Sequence, residues 1–235
     1  MKSLPRLLLV LVLPLYLVDQ VTKWLVVLNF EAPPPPMCES CGEVFLRGEP
    51  SVPDRRCETC GGTEIYPGSN VSGDSWVVAE DFFTLVRVHN QGAAFGMGNG
   101  TTWAPVVFFV IALIALGALL YFWRRGAFDT LLLRLAAGLL AAGILGNLTD
   151  RVLQGFFLPA YREEGFLARL SQGYVVDFLD FKIGLYGKLV PASGGHWPSF
   201  NVADSCICVA AFFLILSTFR AEAESKGSKE QADEA

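Results

Sequence analysis

Two sets of side chains in this 235-residue chain have the types and spacing to do chemistry. The first is a pair of carboxylates. Asp177 lies in Gly173-Tyr174-Val175-Val176-Asp177-Phe178-Leu179-Asp180-Phe181, and Asp204 follows 27 residues later. If the chain between them folds back, one carboxylate of such a pair can act as a base on water while the other protonates or polarises a carbonyl. The plainer alternative is that Asp204 only caps or solvates a helix start. The second set is Cys38, Cys41, Cys57 and Cys60, in a C-x2-C-x15-C-x2-C pattern with glycine after each pair. That is zinc-ribbon spacing, in which two tight turns present four thiolates tetrahedrally. In an oxidising compartment the same four could instead pair as disulfides. Cys206 and Cys208, two apart on a helix, face different ways and read as small apolar residues. The sequence has no H-E-x-x-H, G-x-S-x-G or P-loop. Its only histidines are His89 and His196, and His89, beside Asn90, reads as a loop residue.

The elements that must position these groups are membrane helices. Apolar residues make up 52% of the chain and charged residues 17%, against about 25% charge in soluble domains. Mean hydropathy is +0.43. A bilayer-crossing helix needs roughly 20 mostly apolar residues, and four stretches qualify: Leu7 to Phe30, Trp103 to Trp123, Leu131 to Leu148 and Phe200 to Phe219. The first resembles a secretory leader in its basic start, Lys2 and Arg6. It nevertheless runs long, carries Asp19 and Lys23 and shows no small-x-small cleavage site, so it reads as an uncleaved anchor. Arg124, Arg125 and Arg134 around the short second connection, with basic residues at both ends, put both termini in the cytoplasm. The expected class is a membrane all-α bundle of four transmembrane helices with a small extracytoplasmic β-containing region. The expected segments are 1–30, the first helix; 31–75, an inserted zinc-ribbon-like module; and 76–102, a β-rich stretch with a strand near 81–88. Helices at 103–124 and 131–150, a second outer loop at 151–199, a helix at 200–220 and a disordered cytoplasmic tail at 221–235 complete the chain. The run Pro33 to Pro36 reads as a stiff spacer holding the module off the first helix. A net charge of −5 argues against nucleic acid as a partner.

Ionisable groups inside membrane segments are costly and mark function. Asp19 and Lys23, four apart, share a helix face and can neutralise each other. Asn147, Asp150 and Arg151 end the third span; Asn201 and Asp204 open the fourth. All fall at the outer level of the membrane, which disfavours a transporter, whose polar groups line a crossing path.

At these residues the chain resembles a known family. Asp19-Gln20-Val21-Thr22-Lys23, Asn90-Gln91-Gly92-Ala93-Ala94-Phe95-Gly96, Gly146-Asn147-Leu148-Thr149-Asp150-Arg151, Val175-Val176-Asp177-Phe178 and Phe200-Asn201-Val202-Ala203-Asp204 resemble, in order, the signature segments of bacterial lipoprotein signal peptidase (signal peptidase II). The resemblance implies a multi-pass intramembrane aspartic endopeptidase of the bacterial inner membrane. Such an enzyme removes signal peptides from prolipoproteins and cleaves before the diacylglyceryl-modified cysteine. It implies Asp177 and Asp204 as the catalytic pair, with Asp19, Lys23, Asn90, Gly92, Asn147, Arg151 and Asn201 binding substrate or supporting the site. No cofactor is implied for catalysis; structural zinc at the four cysteines is a separate expectation. The family's usual Gly-Gly before the third-span motif is Ala142-Gly143 here. The cysteine module and an extended second outer loop, about Phe156 to Gly173, are also additions to the family pattern. The competing reading, from a different class, is a membrane-anchored zinc-ribbon assembly or recruitment protein without protease activity.

Overall fold

The computed structural model describes residues 4–45, 57, 59–62, 65, 66, 69, 71–92, 98, 101 and 103–233. Four of its helices are long and apolar enough to cross a membrane. The first span, Leu8–Asn29, joins a π-helical turn at Leu8–Val12 to helix α2 (Leu13–Asn29), after a single turn α1 (Leu4–Leu7). Helix α3 covers Ala104–Arg124, with Pro105 in its first turn, where a missing N–H costs nothing. Gly126, at φ +77°, closes its end. Helix α4 covers Leu131–Leu153 and tightens into a 3-10 turn at Gln154–Phe157. Helix α7 runs Val202–Asp233. The tail expected to be disordered from residue 221 is therefore helical to Asp233. Its run of Ala, Glu, Lys and Gln has good helix propensity, which continues a helix already nucleated by the span before it.

The chain divides into two compact units. The first comprises Met1–Asp19, Leu113–Gly146 and Val202–Ala235. Small side chains make its interior: Ala136, Ala137, Ala142, Ala203 and Ala210 are buried. A side chain at Gly143 would meet the Ala203 carbonyl oxygen at 2.5 Å and Ile207 at 2.6 Å, so α4 and α7 approach through backbone, as membrane helices do at small residues.

The second unit, Gln20–Ala112 and Asn147–Asn201, holds an antiparallel sheet in the order β3-β4-β5. Its strands are β3 (Val71–Ala79), β4 (Phe83–Asn90) and β5 (Val175–Phe181). The register pairs Asn90 with Val175 and Val88 with Asp177, and a bulge interrupts β4 between Leu85 and Val88. β5 is buried on both faces over Val175–Phe178, which explains its near-continuous apolar run. His89, expected in a loop, is a buried residue of β4: its ring stacks on Tyr174 at 3.6 Å and its Nε2 accepts the Arg87 Nε–H at 3.1 Å. Two short strands, β1 (Met37–Cys38) and β2 (Ile65–Tyr66), pair within the cysteine module. Between α4 and β5 lie a turn at Pro159–Tyr161 and the short helix α5 (Phe166–Ser171). Helix α6 (Gly184–Leu189) follows β5.

Candidate active site and candidate metal centre

Asp177 sits on β5 with 2% of its surface exposed. Each carboxylate oxygen takes a side-chain amide: Asn201 Nδ2 donates to Oδ1 at 2.7 Å and Asn90 Nδ2 to Oδ2 at 3.0 Å. Both amides are held in turn. Phe200 pairs with Leu179 beside β5, which delivers Asn201 to the Val176 carbonyl (3.3 Å) and to Asn147 Oδ1 (3.3 Å). Asn90 Oδ1 accepts the Gly92 N–H at 3.0 Å, bending the chain at the end of β4. Ala93, Ala94, Phe95 and Gly96, which follow in the same motif, lie outside the described residues.

Beside this sits a buried ion pair. Lys23 Nζ donates to Asp150 Oδ2 at 2.9 Å and to Asn147 Oδ1 at 2.9 Å, with no exposure of either charged side chain. Asp150 Oδ2 also accepts the Val176 N–H (3.1 Å), and its Oδ1 accepts Gln20 Nε2 (3.2 Å). One carboxylate thus ties the first span to the strand that carries Asp177. The i, i+4 spacing that points Lys23 at Asp19 gives no hint of Asp150 as a partner. Arg151, one residue on, uses its fork on backbone, donating to the carbonyls of Gln91 (3.1 Å) and Gly92 (2.8 Å), and lies 5.2 Å over the Phe108 ring. Lys23, Asn90, Gly92, Asn147, Arg151, Asp177 and Asn201 therefore share one hydrogen-bonded framework. Asp150 and Gln20 belong to it and were not singled out as site residues, although both stand inside the quoted motifs. Buried Arg87 completes the surroundings by donating to the carbonyls of Val27 and Phe30 at the end of α2.

Of the first unit's candidates, Asp19 is buried and its Oδ1 accepts the Ala203 N–H at 2.8 Å, in the first turn of α7, where a carboxylate meets the positive end of the helix dipole. Gly146 makes room for it, since a Cβ there would lie 2.5 Å from Asp19 Oδ2. Asp204 is half-buried in the same first turn.

The four cysteines of the module form a separate centre. Their sulfurs all lie within 4.8 Å of one another, with Cys38 to Cys60 at 3.6 Å and Cys41 to Cys57 at 3.5 Å. Sulfurs bound at about 2.3 Å to one tetrahedral metal stand about 3.8 Å apart, whereas a disulfide needs about 2.05 Å. The two knuckles repeat each other: Gly42 N–H donates to the Cys38 carbonyl and Gly61 N–H to the Cys57 carbonyl, both at 2.8 Å, and both glycines have positive φ. Burial opposes ionisation of Cys38, but the backbone N–H groups of Cys41 and Ser40 and the neighbouring thiols bring it down to about 7. The Glu43 carboxylate, 2.8 Å from the Cys57 sulfur, pushes that thiol up, and burial adds to it. The donor set fits a closed four-thiolate metal site. The run Pro33 to Pro36 is bound into the module: Pro33 is buried, and the carbonyls of Pro34 and Pro36 accept the N–H groups of Ser69 and Phe45.

The model of the family described as Signal peptidase (SPase) II matches residues 62–220. A lipoprotein signal peptidase of Vibrio cholerae is 37% identical over 142 residues, 60% of this chain and 67% of that protein. One from Oleidesulfovibrio alaskensis is 37% identical over 147 residues, 62% of this chain and 76% of its own. A bacterial membrane enzyme solved by the in meso method at 2.3 Å superposes with a TM-score of 0.59 at 25% identity, covering 94% of this chain and 92% of that one. A second, solved at 1.9 Å, gives 0.55 at 26% identity. Asn90, Asn147, Arg151, Asp177, Asn201 and Asp204 all fall inside the family match, and a match over more than half of the length makes this chain a member of the signal peptidase II family.

Proposed function

We propose that this chain is an intramembrane aspartic endopeptidase of the bacterial inner membrane, with both termini cytoplasmic. It removes the signal peptide of a prolipoprotein by cleaving before the diacylglyceryl-modified cysteine. Membership of the family supports a protease acting on lipoprotein signal peptides. The observation that carries the finer reading is the setting of Asp177. Its carboxylate is buried, and each oxygen is aimed by its own side-chain amide, which holds the group in one orientation. In the proposed reaction one carboxylate of Asp177 and Asp204 takes a proton from water. The resulting hydroxide adds to the scissile carbonyl carbon, and the protonated partner donates to the carbonyl oxygen. As that adduct collapses, the C–N bond breaks, the proton taken from water passes to the leaving amine, and a hydroxyl of the adduct returns a proton to the partner carboxylate, restoring the shared-proton pair. Lys23, Asp150 and Asn147 hold the framework, and Arg151 holds the Gln91–Gly92 turn that follows Asn90. At the module, zinc bound by Cys38, Cys41, Cys57 and Cys60 would fix two knuckles with no open position for a substrate water, so it takes no part in hydrolysis.

The test is cleavage of a diacylglyceryl-modified lipobox peptide by the purified chain, together with depletion in cells. The expected results are release of the signal peptide in vitro and accumulation of lipidated, uncleaved prolipoprotein in cells. Normal processing after depletion would sink the reading and leave the recruitment protein in its place.

A further inference from the structure

The structure joins the cysteine module to the second long loop. Tyr161, in the Pro159–Tyr161 turn, is 2% exposed, and its hydroxyl donates to the carbonyl of Phe45 at 3.1 Å. Phe45 is in turn fixed to the proline run by its own N–H, four residues beyond Cys41. At its other side the loop is closed tightly on the end of α4. A side chain at Gly155 would meet the Arg169 carbonyl oxygen at 2.0 Å, and one at Gly173 would meet that of Arg151 at the same distance. Both glycines are therefore sites of backbone contact rather than spare flexibility. Arg169 donates to the Phe156 carbonyl, and the Tyr174 hydroxyl donates to Gln154 Oε1 at 3.4 Å. The cysteine module thus ends on a loop whose two ends flank Arg151 and lead into β5.

We infer that the four-cysteine site is a structural metal centre whose task is to brace the second long loop: metal loading fixes the first knuckle, the knuckle fixes Phe45, and Phe45 seats Tyr161. This rests on the zinc reading of the four thiolates. A two-residue knuckle has no core of its own, so its geometry comes from the metal. The tip of the loop is open to solvent: Phe166 and Leu167 on α5 are exposed, as is Arg162 next to Tyr161. Local opening of such a segment is set by a few contacts, so releasing one of them shifts it measurably.

Trypsin cleavage after Arg162 reads that opening directly. The full-length chain is purified in detergent, its zinc content measured, and the rate of cleavage after Arg162 followed by mass spectrometry. Three samples are compared: the metal-loaded protein, the chelator-stripped protein, and metal-loaded Tyr161→Phe, which loses only the hydroxyl. Stripping is expected to raise cleavage after Arg162 at least tenfold. Tyr161→Phe should raise it about fivefold, the effect of one hydrogen bond on an opening equilibrium, with zinc content unchanged. Restored zinc should re-protect the stripped wild-type chain but not Tyr161→Phe. Zinc bound at one per chain with cleavage indifferent to both stripping and Tyr161→Phe would overturn the brace while leaving the zinc reading intact. Purified protein without metal, its cysteines oxidised, would overturn the zinc reading; in that sample faster cleavage of Tyr161→Phe than wild type would show a contact that works without metal and so overturn the metal dependence alone.

Discussion

Strand β5 carries an aspartate at each end, and the two ends handle charge in opposite ways. At the inner end Asp177 is buried between two amides, next to the Lys23–Asp150 pair. At the outer end Asp180 faces the half-exposed His196 at 2.8 Å, and Lys182, one residue past the strand, meets Asp81 at 2.8 Å. The two lysine–aspartate pairs have the same contact distance to within 0.1 Å, yet the inner pair has 0% exposure on both sides and the outer 43% and 88%. Distance therefore says little about what an ion pair is worth. Desolvation makes the inner pair indispensable once formed, because either charge left alone in a buried site is costly, while solvent screens the outer pair. The inner end is built to hold one geometry, and the outer end tolerates change.

The sharpest break of that comparison is chemical. Asp177→Asn keeps size and removes the proposed base, and we expect cleavage of a diacylglyceryl-modified peptide to fall by about three orders of magnitude or more, with Asp204→Asn equal to it. The double variant should be hardly worse than either single one, since groups acting as a unit fail together. Asp180→Asn, three residues along the same strand, should keep most activity. Substantial turnover by Asp177→Asn, or by Asp204→Asn, would remove that residue from the catalytic assignment.

Next in size is stability. Lys23→Met leaves Asp150 buried without its cation, for an expected loss of roughly 3–5 kcal/mol. Adding Asp150→Asn should return part of it, although the amide cannot accept from Gln20, Val176 and its neighbours in the way a carboxylate does. Thermal unfolding in detergent measures both. A Lys23→Met protein as stable as wild type would mean that the inner site is solvated, and the contrast between the two ends of β5 would collapse.

Much of this molecule could be read before its structure. The four spans follow from apolar length, and the cysteine centre from local spacing, because both signals are contained within short windows. The buried framework was legible only as a set of polar residues at one level of the membrane. Its pairings join Lys23 to Asp150 and Asn201 to Asp177, segments far apart in the chain, and no periodicity encodes them. The i, i+4 rule points Lys23 at Asp19 and says nothing of Asp150, nor of the Ala203 N–H that Asp19 accepts in the first turn of α7. His89 reads as a loop residue because its neighbour Asn90 favours turns, yet pairing with Val176 and stacking on Tyr174 hold it in a strand. Past Arg220 polarity reads as disorder, yet the same residues are strong helix formers and α7 continues to Asp233.

Two intermediate effects probe the ground between the ends. Arg151→Lys keeps the charge but cannot reach the Gln91 and Gly92 carbonyls as a fork, and a loss of about tenfold in kcat/KM is expected. Full activity would reduce Arg151 to a simple positive charge. Deleting Met37 to Gly62 should leave detectable cleavage by a folded protein, and the intact protein should carry about one zinc per chain by metal analysis. A folded but wholly inactive deletion would show that cleavage requires the module.

The smallest effect belongs to the outer pair and carries a sign. The Lys182 ammonium, by hydrogen bond and then by charge, holds the Asp81 carboxyl below its usual range. A group whose pKa is lowered by folding stabilises the fold above its unfolded pKa of about 3.9. That contribution is lost as the pH falls through the lower folded value. Lys182→Met should therefore shift the melting temperature very slightly at pH 7, and the difference from wild type should shrink as the pH approaches 3. Because Asp81 is open to solvent, salt should erase the difference as well. A large shift at pH 7, comparable with that of Lys23→Met, would mean that the outer pair is effectively buried, and exposure would then fail as the criterion separating the two ends of β5.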